Sequence, residues 1–264
     1  MKFIGKLFLI IFLLVIILPI LGLGYLGFIP GLSSIFGTNK PRNLRVQWTE
    51  EDRTSARGKS QIEYVILSAN EGGETGFQTS GSRPVSTEFS SAEASALMNN
   101  RPWRNWPYKD VQVKFNADGS GEISGVLLKD RLPAYGAKIG APKGTIEFAM
   151  KFLPANPVFY LKMKASLKDN KVEVFEPQVF EIGRMKLPVS MFLSLVPGRL
   201  VKEAWAVDNM AKELSKVQNK RALIIEFINE RLSLITGFFA NSASFAENKL
   251  IFDGTLPEVE ATER

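Results

Sequence analysis

The hydrophobic pattern of this chain begins with one long apolar run. No side chain between Leu7 and Asn39 is charged, and Leu7–Ile29 is long and apolar enough to span a hydrocarbon core of about 30 Å. The run outlasts the apolar region of most signal peptides, and no A-x-A-like cleavage site follows it. We therefore predict a transmembrane helix, with a cleaved signal peptide as the competing interpretation.

Basic residues beside this run predict its orientation. Lys2 and Lys6 abut the apolar segment, whereas Lys40 lies beyond its far end. The number of basic residues, two before the run against Lys40, Arg42 and Arg45 after it, does not favour a cytoplasmic N-terminus, but the proximity of Lys2 and Lys6 does. We expect a single-pass plasma-membrane protein whose C-terminal domain is extracytoplasmic. Lys40, Arg42 and Arg45 are expected to hold the following segment against anionic lipid headgroups, at about 1 kcal/mol each.

Polarity divides the chain into four regions. We predict a short cytoplasmic tail with the anchor over 1–34, a juxtamembrane stalk over 35–82, an extracytoplasmic α+β domain over 83–257 and a frayed polar tail over 258–264. Within the stalk, Thr49 followed by three acidic residues predicts a short helix. A strand is expected shortly afterwards, over Gln61–Leu67.

Short alternating segments within 83–257 predict β-hairpins. Val111, Val113 and Phe115 alternate with polar residues, and the turn sequence from Asn116 to Gly119 follows them. The same pattern occurs around the turn at Asp169–Asn170. The predicted strands cover 84–89, 111–115, 122–128, 160–167, 172–174, 179–182, 239–245 and 249–256.

Helical segments separate these hairpins. Ser90 and Glu93 form a capping-box pattern before a helix over Ala92–Asn99, and a helical stretch over Asp130–Leu153 is broken near Gly140. Apolar residues recur at helical spacing over Asp208–Leu234. Hairpins without strand–helix alternation predict an α+β fold, a curved antiparallel sheet packed on this long amphipathic helix.

Composition excludes much catalytic chemistry. The 264 residues include no Cys and no His, which removes disulfides, thiolate nucleophiles, His general bases and Cys/His zinc sites. Glu173, Glu176 and Glu181 offer the remaining route to hydrolysis, but a glutamate alternating with apolar strand residues is usually solvated. We expect a protein that is not an enzyme and that binds no cofactor or metal. The net charge of +6 favours anionic partners.

Three stretches resemble a known family. Residues 151–196, and above all Glu181-Ile182-Gly183-Arg184-Met185-Lys186-Leu187-Pro188, resemble the strand–turn–strand signature of YpmS-like bacterial envelope proteins. The apolar N-terminus and the strand running into a helix near Ser90 match that family too. The organisation is more distantly similar to tubular lipid-binding (TULIP) proteins. This resemblance implies an apolar ligand, a lipid or a lipid-linked precursor.

The resemblance and the pattern together predict binding residues. Apolar side chains beside breaks in regular structure are expected to line the mouth of a lipid groove, namely Phe192, Leu193, Phe238 and Phe239. Arg184 and Lys186 follow the turn at Gly183 and are expected to contact headgroups.

An aromatic and basic segment provides the alternative hypothesis. Trp103, Trp106 and Tyr108 are interleaved with Arg101 and Arg104 in a proline-flanked loop. Such a loop is either pinned to the protein body by its tryptophans or free to stack on a ligand. In the second case the protein is an anchored envelope scaffold that binds a polymer or a protein partner. An extracytoplasmic location excludes nucleic acid as a partner.

Overall fold

The computed structural model describes residues 16–68, 76–141, 143–187 and 217–263. Their strands form an eight-stranded sheet, which is antiparallel and strongly curled, and a smaller three-stranded sheet. This is the α+β class with the curved antiparallel sheet that the sequence predicts. The strands are β1 Glu63–Leu67, β2 Phe77–Ser80, β3 Arg83–Ser90, β4 Tyr108–Phe115, β5 Ser120–Leu127, β6 Val158–Lys168, β7 Lys171–Ile182, β8 Met185–Leu187, β9 Phe239–Ala246, β10 Lys249–Leu256 and β11 Val259–Glu263.

Seven α-helices accompany these strands within the described residues. The described part of the first, α1, covers 16–25. The others are α2 Pro30–Ile35, α3 Glu50–Ser60, α4 Ser91–Asn99, α5 Leu132–Lys138, α6 Lys143–Phe152 and α7 Val217–Ser233. Both predicted N-terminal caps are confirmed, because Thr49 and Ser90 each form a reciprocal capping box with the residue three positions later. The predicted break between α5 and α6 is also confirmed.

The three predicted hairpins are confirmed and build most of the larger sheet. They are β4–β5, β6–β7 and β9–β10, and β6 lies between β5 and β7. The strand pairs give the order β3-β10-β9-β6-β5-β4, with β7 and β8 branching from β6. One core cluster forms around Val85, Phe89 and Phe252.

The predicted long helix packs on this sheet over the part that is described. Ile224 of α7 packs against Phe175 of β7, and both are buried. The Asn229 side chain accepts a hydrogen bond from the backbone N–H of Val172 at 2.7 Å, which fixes the start of β7. Residues 208–216 of the predicted helix lie outside the described residues.

The predicted stalk over 35–82 is wrong, because much of it belongs to the folded body. Ala56 of α3 is fully buried in the core cluster, and Lys59 pairs with the buried Glu93 of α4 at 2.7 Å. β1 and β2 flank β11 in the smaller sheet. Local polarity concealed this packing, since α3 buries small residues only, Ala56 and Ser60.

The frayed tail predicted over 258–264 is also wrong. β11 is the central strand of the smaller sheet, parallel to β1 and antiparallel to β2. Its Glu260 and Glu263 are buried and pair with Arg101 and Arg104. A polar strand can therefore be central, because its backbone is paired on both edges and its carboxylates have cationic partners.

The described part of the N-terminal apolar segment is not one continuous helix. Helix α1 ends at residue 25, and Gly27 turns the backbone with φ 92° before α2. The Ser33 hydroxyl donates to the Gly24 carbonyl oxygen at 2.7 Å and holds α2 against α1. Among the described residues no helix has both the length and the apolar character needed to cross a bilayer. Residues 7–15 of the predicted span lie outside them, so the transmembrane helix stays a prediction.

Candidate functional site: a basic pocket on the polar sheet face

The polar face of β4, β5, β6 and β7 forms the base of the candidate site. Ser124 of β5 is paired with Tyr160 of β6, which is paired with Glu181 of β7. Residues paired across strands point to the same side of a sheet, so these three side chains form one row. Glu122 and Lys162 form the next row on the same face. The sequence alternation of apolar and polar residues places these groups opposite the core.

The extended segment after α2 crosses this face. The Arg42 backbone N–H donates to the Ser124 hydroxyl at 2.8 Å, and the Leu44 N–H donates to the side chain of Gln112 at 2.6 Å. The Arg42 guanidinium donates to both carboxylate oxygens of Glu181 at 2.8 Å. It also lies 4.5 Å above the centre of the Tyr160 ring. These contacts hold the segment against the sheet.

A hydrogen-bonded carboxylate forms the other wall. The Tyr160 hydroxyl donates to Glu122 at 2.7 Å, and the Asn116 amide donates to it at 2.9 Å. Burial works against ionisation, but these two hydrogen bonds and the nearby Lys162 and Lys114 hold the pKa of Glu122 below its ordinary value. Burial and the Glu122 carboxylate raise the pKa of Tyr160. Glu122 is therefore ionised and Tyr160 remains a donor at neutral pH.

Together these groups enclose a pocket of about 350 Å³, called here the Arg42 pocket. Arg42, Arg45, Lys114 and Arg184 supply four cationic side chains, while Glu122 supplies one carboxylate. Arg45, Lys114 and Arg184 form no ion pair with any described residue. Cationic donors in excess over carboxylates give a pocket suited to an anion such as phosphate.

The Arg42 pocket lies beside the end of the apolar N-terminal helix. A Cβ atom at Gly183 would lie 2.9 Å from the Leu26 carbonyl oxygen, so only glycine permits this approach at a φ of 65°. The adjacent Arg184 donates to the Lys40 carbonyl oxygen at 3.1 Å. A Cβ atom at Gly27 would lie 3.7 Å from the Pro154 side chain. The turn after α1 therefore lies against the β7–β8 turn and close to the segment that follows α6.

Helix α1 presents apolar side chains to the surroundings. Its exposed apolar residues have exposed fractions between 38% and 60%, namely Ile16, Ile17, Leu18, Ile20, Leu21, Leu23 and Tyr25. Phe28 and Phe36, near α2, are exposed to a similar degree. A continuous exposed apolar surface of this kind is typical of contact with a membrane or another protein.

A second apolar surface lies near the same turn. Helices α5 and α6 enclose an open groove of about 710 Å³, lined by Pro133, Ala137, Ile146 and Met150. Lys151, at the end of this lining, precedes by three residues Pro154, which lies close to Gly27.

Only one of the two predicted headgroup residues lines the Arg42 pocket. Arg184 lines the Arg42 pocket, whereas Lys186 lies exposed on β8 next to Glu181 in the strand pairing. Sequence reasoning missed the contributions of Tyr160, Lys114 and Glu122. Their alternation with apolar residues was visible, but it is the same pattern that a simple solvated strand face has.

The predicted aromatic loop is packed into the protein. Trp103 and Trp106 are 4% and 8% exposed, and the Trp106 indole N–H donates to the Met98 carbonyl oxygen at 2.7 Å. Tyr108 and Tyr135 complete the cluster, with ring centres 5.6 Å apart. Burial also raises the pKa of Tyr108 well above its ordinary value. The pinned-loop interpretation accounts for these rings, and their faces are not available for stacking on a ligand.

The two described residues of the predicted groove mouth, Phe238 and Phe239, lie in different environments. Phe238 packs on the buried Phe252 with ring centres 6.0 Å apart, and Phe239 is 43% exposed. Neither residue lines the Arg42 pocket or the groove between α5 and α6. Phe192 and Leu193 lie outside the described residues.

The candidate carboxylates for hydrolysis do not form a catalytic pair. Glu181 is fully buried and bound by Arg42, and Glu173 accepts a hydrogen bond from Ser166 at the protein surface. Glu176 is exposed on the same strand. In the part of the chain that the structure describes, no cluster of three or more acidic residues suits a metal ion.

Comparisons of this chain with protein-family models, with curated proteins and with solved structures find no match. The resemblance to YpmS-like and TULIP proteins therefore stays a prediction.

Proposed function

We propose that this chain is a membrane-attached, non-enzymatic protein whose Arg42 pocket binds the anionic headgroup of a lipid. The observation that carries this proposal is the contact between Gly183 and Leu26. It fixes a pocket rich in cationic groups beside the end of an exposed apolar helix. A headgroup phosphate is the anion expected at the end of an apolar segment in a membrane.

The charges of the pocket support a phosphate ligand. The guanidinium of Arg42 is occupied by Glu181, so Arg45, Lys114 and Arg184 carry the available charge. Arg and Lys both bind phosphate, and Arg does so through two parallel donors. Each basic group close to an anionic membrane surface contributes about 1 kcal/mol.

The apolar surfaces support a membrane rather than a soluble phosphate compound. Helix α1 is exposed along most of its described length, and the groove between α5 and α6 adds a second open apolar surface. In this proposal α1 continues an anchor that begins before residue 16. The charges of Lys2 and Lys6 then place the folded domain outside the cytoplasm.

Fluorescence titration of the full chain tests headgroup binding. The chain has no cysteine, so Gln47→Cys gives one labelling site near Arg45 for an environment-sensitive dye. We expect saturable binding of glycerol 3-phosphate in neutral micelles, with no response to glycerol. Combining Arg45→Gln with Arg184→Gln should weaken this binding about tenfold or more, because it removes two charge-assisted contacts.

A matched control removes the same charge elsewhere. Lys168 and Lys171 lie at the far end of the β6–β7 hairpin, and replacing both by Gln should leave the titration unchanged. Nanodiscs then separate a lipid from a free phosphate compound. A dye response to anionic lipid discs but not to phosphatidylcholine discs supports the proposal, whereas a response to glycerol 3-phosphate alone contradicts the lipid assignment.

The scaffold hypothesis has weaker support. It required exposed rings in the segment from Trp103 to Tyr108, and those tryptophans are buried. The basic residues of that segment are also engaged, since Arg101 and Arg104 pair with Glu260 and Glu263.

A further inference from the structure

A second pocket lies where α3 and α4 meet the smaller sheet. It has a volume of about 170 Å³ and is more enclosed than the Arg42 pocket. Apolar side chains form its floor, and these are Ile62, Phe89, Leu97, Met98 and Leu256. The rest of its lining is polar or charged and consists of Arg53, Arg57, Ser60, Tyr64, Asn100, Arg101 and Glu260. We call it the Arg57 pocket.

Two of its charged groups are already neutralised. Arg101 forms a two-point ion pair with the buried Glu260, and its guanidinium lies between Phe77 and Trp106 at 5.4 and 5.0 Å from the ring centres. Arg53 pairs with Glu50. These residues shape the wall of the pocket but have little remaining capacity for a ligand.

Arg57 and Tyr64 have that capacity. The Arg57 guanidinium lies 4.7 Å from the centre of the Tyr64 ring and forms no ion pair with any described residue. The Tyr64 hydroxyl has no hydrogen-bond partner among the described residues. Burial raises the pKa of Tyr64, so its hydroxyl stays protonated and donates. Arg57 and Tyr64 therefore supply two sets of donors to a partly apolar pocket, in which Arg101 already binds the carboxylate of Glu260.

We propose that the Arg57 pocket binds a small organic acid with an aromatic or branched apolar body. Its carboxylate would accept hydrogen bonds from Arg57 and Tyr64, while its apolar body would contact Phe89 and Leu97. The size agrees, because a cavity of about 150 Å³ accommodates benzene. This proposal is independent of headgroup binding, since the two pockets share no lining residue.

Calorimetric titration with benzoate tests the proposal on the full chain in neutral micelles, with empty micelles as the blank. We expect saturable binding of benzoate and at least about tenfold weaker binding of benzamide, which keeps the ring and loses the charge. Acetate, which lacks the apolar body, should also bind at least about tenfold more weakly. Unsaturable heat, or equal affinities for benzoate and benzamide, overturns the proposal.

Two variants localise the binding. Arg57→Gln and Tyr64→Phe should each weaken benzoate binding about tenfold, because each removes donors to the carboxylate. Tyr64→Phe keeps the ring, so it tests the hydroxyl even if Arg57→Gln fails to fold. The proposal is overturned if Tyr64→Phe and a folded Arg57→Gln variant both bind benzoate with wild-type affinity.

The control variant belongs to the other pocket. Arg45→Gln should bind benzoate as the wild type does, and Tyr64→Phe should bind glycerol 3-phosphate as the wild type does. Loss of benzoate binding in Arg45→Gln would show that benzoate binds in the Arg42 pocket and would overturn this assignment. If the chain binds benzoate but not glycerol 3-phosphate, only the proposed headgroup function is contradicted.

Discussion

The guanidinium of Arg42 binds both carboxylate oxygens of Glu181, a residue 139 positions later in the chain. Glu181 is fully buried, whereas the Arg42 side chain is 40% exposed. The pair therefore fastens the segment between α2 and α3 to β7 of the large sheet. It also forms the base of the Arg42 pocket.

Removing Arg42 should destabilise the fold. Arg42→Met leaves a buried carboxylate without its counter-charge, and we expect a loss of about 3 kcal/mol in the free energy of unfolding. This is the low end of the range for buried pairs, because the exposed Arg42 side chain keeps water close to the site. Denaturant unfolding of the full chain measures the effect.

The double variant Arg42→Met with Glu181→Leu provides the control for this prediction. It removes the buried charge together with its partner, so it should recover most of the lost stability. A single variant as stable as the wild type would show that Glu181 is solvated or has another partner.

Tyr160→Phe should raise the pKa of Glu122. The hydroxyl of Tyr160 stabilises the ionised carboxylate, and its loss removes the larger of the two hydrogen-bond effects. Carbon-detected NMR titration of the Glu122 carboxyl group measures the shift. Phe115→Leu, on the opposite face of β4, should leave this pKa unchanged.

The lowered pKa of Glu122 makes the folding stability of the protein depend on pH. Because the folded-state pKa of Glu122 is lowered, its contribution is complete above the unfolded value of about 4.3 and is lost as the pH falls through the folded value. Stability of the wild type should therefore fall on acidification more steeply than that of Tyr160→Phe. Equal acid sensitivity of the two proteins would contradict the role assigned to this hydrogen bond.

Deleting 259–264 should unfold the smaller sheet. β11 pairs with β1 and β2, and its loss also leaves Arg101 and Arg104 without their carboxylates. We expect a destabilisation of several kcal/mol, measured by thermal unfolding of the full and shortened chains. As a control, Glu88→Gln removes an ion pair that is exposed on both sides and should cost no more than about 1 kcal/mol.

Surface labelling tests the proposed topology. Lys171→Cys places a single thiol at the exposed turn between β6 and β7, and a membrane-impermeant maleimide should label it in intact cells. Phe3→Cys keeps Lys2 and Lys6 and should react only after permeabilisation. The opposite labelling pattern would reverse the orientation derived from these lysines.

Local sequence determined the elements whose stabilising contacts are short in range. The alternation around Val111 and around Leu161 set the hairpins and also which strand face is polar, because side chains alternate along a strand. Thr49 and Ser90 set their helix starts, because their capping partners are three residues away. The absence of Cys and His excluded whole classes of chemistry before any fold was known.

Only the tertiary structure decided the contacts between distant segments. Nothing local in the polar sequence near Val259 shows that it pairs with Glu63 in a parallel register, because such pairing depends on backbone groups brought together by the whole fold. The same holds for Arg42, which looks like a stalk residue until β7 brings Glu181 beneath it. Both pockets depend on side chains from elements far apart in sequence, so the alternation supplied the polar groups and the fold brought them together.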